Sequence, residues 1–246
     1  MPVPRVSRVA IIGLVQAPSF RDLSVAAFAD RLASSEPVPG GGSASAVAAA
    51  LGASLVAMVA ELTQGRPKYA EHAALAQAVG PKARALAGEL FDLADADAQA
   101  YAACAFAMKL PRESFEDKEA RDRQIRETAV VAAEVPLRSV ERCLDVLRLA
   151  EMLAGRSNRN ASSDLRVASL LLEAAADGAA ANVLVNLPLV GPGAWTTATE
   201  ARTHDLMQEV AALATQVRTV VASGEARAPL AGVPAVAAGA AARPGA

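Results

Sequence analysis

Apolar residues recur along this chain at steps of three and four, and no stretch alternates apolar with polar at a period of two. The pattern predicts an all-α fold. Its centre is Pro37-Val38-Pro39-Gly40-Gly41-Gly42-Ser43 and the following run Ala44–Leu62, which carries no charge until Glu61. Val47, Leu51, Leu55, Met58 and Leu62 form the expected inward stripe of this helix, and the Ala, Ser and Gly residues between them let other backbones approach. A short helix before it, capped by Asp22 or Ser24, is expected to turn Leu23, Phe28 and Leu32 inward.

After a turn at Gly65-Arg66-Pro67, a helical pattern runs from Tyr69 to Leu110, with Pro81 expected to kink or divide it. Its inward stripe reads Leu86, Leu90, Leu93, Asp97, Tyr101, Cys104, Met108, so Asp97 stands where an apolar residue is expected. The next helical pattern opens on the charged stretch Asp117–Arg126 and continues through Val131, Val135, Val140, Leu144, Leu147 and Leu153, interrupted at Pro136. A polar loop, Ser157-Asn158-Arg159-Asn160-Ala161-Ser162-Ser163-Asp164, leads into a helix through Asn182 and Asn186, broken at Pro188–Gly193. The two asparagines are four apart and share a face. Asp164 lies on the same stripe but ~27 Å from Asn182 at ~1.5 Å per residue, so one subunit cannot bring both into one site. A last amphipathic helix places Leu206, Val210, Leu213, Val217 and Val220 inward. The expected organisation is a disordered leader at 1–20, one helical domain at 21–223 and a disordered tail at 224–246. The architecture expected is a multi-helix antiparallel bundle of long kinked helices, forming a homodimer because the uncharged central helix exposes more apolar surface than one bundle covers.

Composition agrees with close-packed helices. Hydrophobic residues make up 53% of the chain and aromatics only 3%, which leaves Ala, Leu and Val to build the core. A net charge of −2 gives no driving force for phosphate contacts, so no nucleic-acid partner is expected. Cys104 and Cys143 lie in apolar patterns, as buried thiols of a reducing, cytoplasmic protein would. His72 and His204 have no metal-ligand spacing around them, and no metal is expected. The uncharged run Ser43–Ala60 is long enough to span a membrane, but its Ala, Ser and Gly content fits a buried soluble helix. Arg5, Arg8 and the run Val9–Val15 are a minimal signal-like segment, taken here as an extension outside the fold. The glycines before the central helix leave backbone N–H groups free at its positive end, which serves either as a plain small-residue start to a buried helix or as a site for an anion or carbonyl.

Four blocks resemble a known family. They are the Pro37–Ser43 loop with Met58-Val59-Ala60-Glu61-Leu62-Thr63; Leu93-Ala94-Asp95-Ala96-Asp97-Ala98-Gln99-Ala100-Tyr101 with Lys109-Leu110-Pro111 and Ala133-Glu134-Val135-Pro136-Leu137; Asn158-Arg159-Asn160-Ala161-Ser162-Ser163-Asp164; and Asn182-Val183-Leu184-Val185-Asn186. In this order they resemble the cyclodeaminase/cyclohydrolase family, which comprises the C-terminal domain of formiminotransferase-cyclodeaminase and free-standing methenyltetrahydrofolate cyclohydrolases. The likeness runs from Leu23 to Val221. Ser157-Asn158 stands where the family pattern has Gly-Asn. The resemblance implies an all-α, dimeric protein that needs no cofactor and acts on a one-carbon tetrahydrofolate derivative. With no formiminotransferase segment in these residues, the expectation leans to the cyclohydrolase, with the ammonia-releasing cyclodeaminase as the alternative and a non-catalytic folate-binding dimer as a third.

The cyclohydrolase adds water to the amidinium carbon bridging N5 and N10, and the adduct opens to 10-formyltetrahydrofolate. That chemistry needs a base, donors for the developing oxygen and a negative setting for the cationic ring. Asp97 is the expected base, its pKa raised by burial and lowered by the cation; Asp164, supplied across a subunit interface, is the alternative. Asn182 and Asn186 are expected to hold the pterin edge or donate to the adduct, as are the N–H groups of Gly40, Gly41, Gly42 and Ser43. Lys68, with Arg66, is expected to attract the acidic tail of the substrate. Asn160 and Ser163 complete the expected substrate-binding set. For each polar residue a structural role, bonding to backbone or to another helix, is the competing explanation.

Overall fold

The computed structural model describes residues 19–231. Six helices carry the fold: α1 (Val25–Leu32), α2 (Gly41–Thr63), α3 (Ala73–Ala107), α4 (Phe115–Leu153), α5 (Ser162–Val190) and α6 (Ala194–Ser223). Short 3₁₀ turns occur at Phe20–Asp22, Pro67–His72 and Arg159–Ala161. No strand occurs among the described residues, as the apolar period predicts. α2 packs against α3, α4 and α5, and α6 closes over α4 and α5.

Local chemistry sets several boundaries. α4 begins at a capping box, in which the Asp117 N–H donates to Ser114 Oγ at 3.0 Å and the Ser114 N–H donates to Asp117 Oδ2 at 3.1 Å. Ser24 caps α1 by accepting the Ala27 N–H at 3.1 Å. α5 stops at Gly191, whose φ of 91° few other residues adopt.

The prolines do not divide the helices. α3 runs unbroken from Ala73 through Pro81, while Tyr69 belongs to the separate 3₁₀ turn. The carbonyl that Pro81 leaves without a helical donor is that of Gln77, an exposed residue that water can serve. α5 likewise passes through Pro188 and ends two residues later, not at the proline.

The expected inward stripes hold on α4 (Val135, Val140, Leu144, Leu147, Leu153) and on α6 (Leu206, Val210, Val217), and differ in part on α2 and α3. On α2 three of the five expected residues face out: Leu51 is 48% exposed, Met58 37% and Leu62 38%, while Val47 and Leu55 pack partly buried against the core. The buried face is Ala46, Ala49, Ala50, Ala53, Val56, Ala57, Val59 and Ala60. On α3, Tyr101 and Met108 are exposed, and Ala94, Ala100 and Ala107 replace them inside. Helix axes can approach closely only where side chains are small, so on α2 alanine takes most of the interior and Leu51, Met58 and Leu62 are displaced outward. α1 buries none of its residues, contrary to the inward placement expected for Phe28 and Leu32.

Both edges of the expected domain move. Ser19 Oγ and the Phe20 N–H donate to the Asp95 carboxylate, so the chain is anchored before residue 21. After α6, residues 224–231 turn back onto the end of α4, where Arg227 Nη1 donates to Glu151 Oε1 at 2.7 Å. The remaining parts of the expected leader and tail lie outside the described residues. α2 and the run Arg159–Val190 are long and apolar enough to cross a membrane by length and composition. In α2, 56% of the most apolar window is buried against other helices.

A Cβ on Gly52 would lie 2.9 Å from Leu172 Cγ and 3.3 Å from the Ala168 carbonyl. Gly52→Val therefore overpacks the α2–α5 contact. The expected cost is about 1–3 kcal/mol, which lowers Tm by roughly 2–4 °C per kcal/mol for a chain of this size. A thermal melt followed by circular dichroism checks it, and an unchanged Tm would remove the close-approach argument.

Candidate active site at the two ends of α2

α2 starts at Gly40 without a side-chain cap, leaving its first N–H groups without helical acceptors. α3 supplies the missing acceptor. Asp97 projects from mid-α3 onto the first turn of α2, where Ser43 Oγ lies 3.0 Å from both Asp97 Oδ2 and the Ala94 carbonyl. Burial pushes the Asp97 pKa up, while the hydroxyl of Ser43, bonded to the carboxylate, and its backbone N–H nearby pull it back. No cation pairs with Asp97 among the described residues. Its partner comes from the neighbouring helix, not from a basic side chain.

The glycines have distinct roles. A Cβ on Gly42 would lie 2.5 Å from Asp97 Cγ and 2.6 Å from Oδ2, so the carboxylate rests directly on a bare Cα. A Cβ on Gly41 would reach Asn182 Nδ2 only at 3.8 Å, an ordinary contact. A Cβ on Gly40 would lie 3.8 Å from the Pro37 carbonyl. Gly178 of α5 faces Ser45 of α2 so closely that any Cβ would overlap its hydroxyl. Ser45 and Gly178 escaped the sequence analysis. Their signal is a pair of small residues on two apolar helices, which many non-contacting pairs share.

Asn182 and Asn186 stand one turn apart on α5. Asn182 Nδ2 donates to the Gly178 carbonyl at 2.7 Å, which leaves one amide hydrogen and Oδ1 for other partners. Asn186 Nδ2 donates to the Asn182 carbonyl at 2.8 Å and to the Ala132 carbonyl of α4 at 2.9 Å. Ala132 is four residues before Pro136, whose ring nitrogen has no hydrogen to give it. Asn186 thus supplies, from another helix, the donor that the proline removed. Both hydrogens of its Nδ2 are committed, and only Oδ1 remains free to meet a ligand.

The other expected residues gather at the far end of α2, ~33 Å away for a helix of this length at ~1.5 Å per residue. There the Asn158 N–H donates to Thr63 Oγ1 at 3.0 Å and Asn158 Nδ2 donates to the Leu62 carbonyl at 3.1 Å. Asn158 therefore caps the C-terminus of α2. The Asn160 N–H donates to Asn158 Oδ1 at 3.1 Å, and the Arg159 N–H donates to Tyr69 Oη at 3.0 Å. Asn160 and Ser163 are exposed, and Asp164 is half-buried in the first turn of α5. Lys68 is exposed, with Nζ 5.7 Å from the centroid of the Tyr69 ring. The structure thus brings Gly41, Gly42, Ser43, Asp97 and Asn182 together at one end. It places Lys68, Asn160, Ser163 and Asp164 at the other.

A groove of about 590 Å³ between α5 and α6 is lined by Asp177, Leu184, Glu200, His204 and Met207 among others, and none of the site residues above contributes to it. Among the described residues, no three His, Cys, Asp or Glu side chains are grouped to hold a metal ion.

The Asn186 assignment makes a double-mutant cycle decisive. Asn186→Ala in the wild-type background leaves the Ala132 carbonyl unserved at a cost of about 1–3 kcal/mol. In a Pro136→Ala background the restored N–H takes over, so the same change costs less and the two substitutions are coupled. Chemical denaturation of the four proteins measures this. Equal costs in both backgrounds would remove the proposed link between the asparagine and the proline.

With the geometry in place, comparison with known proteins locates the chain among its relatives. Residues 24–205 match the family described as formiminotransferase-cyclodeaminase. The chain is 37% identical over 200 residues to methenyltetrahydrofolate cyclohydrolase of Methylorubrum extorquens, a match covering 81% of this chain and 96% of that protein. It is 36% identical over 209 residues to formimidoyltransferase-cyclodeaminase of Rattus norvegicus, covering 85% of this chain and 38% of the rat protein. The chain thus spans well under half the length of that relative. Its fold is similar to that of formiminotetrahydrofolate cyclodeaminase from Thermotoga maritima, with a TM-score of 0.75 at 24% identity over 82% of this chain and 98% of that one. By the span of the family match and by these identities, the chain belongs to the formiminotransferase-cyclodeaminase family.

Proposed function

We propose that this protein hydrolyses 5,10-methenyltetrahydrofolate to 10-formyltetrahydrofolate, with Asp97 as the general base. The observation that carries the proposal is a half-buried carboxylate with no cationic partner among the described residues, seated on Gly42 at the N-terminus of α2, where the neighbouring Gly41 is approached by Asn182. The near full-length match to a cyclohydrolase supports the choice of reaction. In this mechanism Asp97 takes a proton from water as the oxygen attacks the amidinium carbon, and its charge offsets that of the cationic ring. The Ser43 hydroxyl holds the carboxylate in place. Asn182, with one uncommitted amide hydrogen, is the donor to the adduct, whereas Asn186 can offer only its Oδ1. These steps require no metal or cofactor, and the protein is assigned to the cytoplasm. The second reaction, cyclodeamination of formiminotetrahydrofolate with release of ammonia, is favoured by the identity to the rat enzyme and would use the same residues.

The kinked helices form an antiparallel bundle in this proposal, and two copies pair through α2 and α5. Leu51, Met58 and Leu62 on α2 and Val167 and Leu170 on α5 are all more than a third exposed, which leaves an apolar face for a second copy to cover. An antiparallel pairing of α2 helices would carry Lys68, Asn160, Ser163 and Asp164 of a second copy towards Asp97 and Asn182, solving the separation within one chain. Leu51→Lys with Met58→Lys is expected to yield a folded monomer by light scattering, with turnover lost. A wild-type chain that is monomeric at micromolar concentration would sink the pairing.

Asp97→Asn keeps the shape of the side chain and removes its basicity. Turnover of methenyltetrahydrofolate, followed by ultraviolet absorbance, is expected to fall by roughly 10²-fold or more. The sign of the stability effect follows from the raised pKa. A group whose folded pKa is raised contributes stability below its unfolded value, ~3.9 for Asp, and loses it as pH rises through the folded value. Asp97→Asn should therefore melt no lower than the wild type at pH 7, with the gap closing below about pH 4. Full activity in this variant would remove Asp97 as the base. An ammonia-release assay on formiminotetrahydrofolate, run in parallel, separates the two reactions.

A further inference from the structure

Residues 224–231 lie beyond the family match at 24–205, and their contacts converge on one loop. Gly224 ends α6 in the left-handed region and reverses the chain. The Arg227 N–H then donates to the Gly155 carbonyl at 2.8 Å. Arg227 Nη1 reaches Glu151 Oε1 at 2.7 Å, the Glu151 carbonyl at 3.3 Å and the Ala154 carbonyl at 3.4 Å, three acceptors on the last turn of α4. In return, Arg156 Nε donates to the Ala228 carbonyl at 2.6 Å. Gln216 of α6 donates to the same Glu151 carboxylate at 3.1 Å. Leu230 packs against the core.

Gly155 has a φ of 72°, and a Cβ there would lie 2.9 Å from both Arg227 Cγ and the Glu225 carbonyl. The turn and the returning segment therefore fit each other at van der Waals distance. Arg156, Ser157 and Asn158 are buried beneath the contact, although a loop this polar would ordinarily lie in water. The same loop places Asn158 on the end of α2 and presents Arg159 and Asn160 to the surface.

We propose that Arg227, through the strap 224–231, is a positioning residue: it holds the α4–α5 loop so that Arg159 and Asn160 present a preformed surface to the substrate. This rests on the reading of that loop as substrate-binding. An α-helix that stops at a glycine, followed by an untethered polar loop, would leave these side chains to be ordered at the expense of binding free energy. The strap supplies that order beforehand. Removing it should weaken binding without altering the proton transfer at Asp97, whose carboxylate is held by Ser43 and seated on Gly42, neither of which the strap touches.

The test uses the full chain, Arg227→Ala, Arg227→Lys and a chain ending at Ser223. Amide hydrogen exchange of residues 155–161 and steady-state turnover of methenyltetrahydrofolate are measured on each. In Arg227→Ala, exchange across the loop should accelerate by about tenfold or more, because local opening then no longer breaks the Arg227 contacts. KM should rise about tenfold, with kcat within about twofold and the pH dependence of kcat unmoved. Arg227→Lys should recover part of the effect, since an ammonium can still pair with Glu151. Unchanged exchange in Arg227→Ala would overturn the strap. Accelerated exchange with unchanged KM would overturn the positioning role. Should the truncated chain fail to fold, the two Arg227 variants carry the same comparison. A wild-type chain without turnover would count against the proposed reaction and leave the exchange comparison to decide whether the strap orders the loop.

Discussion

The structure depends on a helix that cannot satisfy its own ends. α2 carries no side-chain cap at Gly40 and no charged side chain before Glu61. Its free N–H and C=O groups are buried or close to it, and an unmet buried backbone group costs as much as a lost hydrogen bond. Other elements meet the need. Asp97 of α3 faces the first turn through Ser43, and Asn158 of the α4–α5 loop serves the Leu62 carbonyl at the last. Each end of α2 thereby ties a different part of the chain into place. One of the polar residues that do this, Asp97, is also the proposed base.

Alanine makes this arrangement possible. α2 buries a face of alanines and valines against three helices, so axes approach closely and Leu51, Met58 and Leu62 are turned outward. Gly42, Gly52 and Gly178 extend the same logic to points where not even a methyl group fits. Close approach also brings a carboxylate on α3 within reach of α2. A buried carboxylate is ordinarily costly, and Asp97 shows that cost in its raised pKa. The partial positive end of α2 reduces it without neutralising the group. The carboxylate thus stays available to a proton or a cation.

Prolines impose a second demand of the same kind. Pro136 removes one donor from the middle of α4, at a buried residue that water does not serve, and Asn186 restores it from α5. The asparagine pair on α5 is therefore divided between two jobs. Asn186 uses both its hydrogens, one to join α5 to α4 and one within α5, while Asn182 keeps one hydrogen and its Oδ1 uncommitted. Pro81 needs no such partner, because its orphaned carbonyl belongs to an exposed residue.

By itself the sequence determined the helical class, since a period of three to four needs no tertiary context. It determined the extent of the family likeness, the special standing of Asp97 among apolar neighbours, and the separation of Asp164 from Asn182, which is simple helix length. It placed Leu90, Leu93 and Cys104 of α3 correctly but could not determine which side of α2 faces inward. Alanine and leucine are both apolar, and the choice between them follows from how near the neighbouring helices come. For the same reason only the folded chain tells Gly42 from Gly41, or Asn182 from Asn186. Each pair is alike in residue type and local pattern, and differs only in what another helix places opposite: Asp97 against Gly42, and the carbonyl left bare by Pro136 against Asn186. The segment after Gly224 shows no apolar period and reads as tail, yet its place is set by Glu151, Gly155 and Arg156, contacts some seventy residues away in sequence that no local pattern encodes.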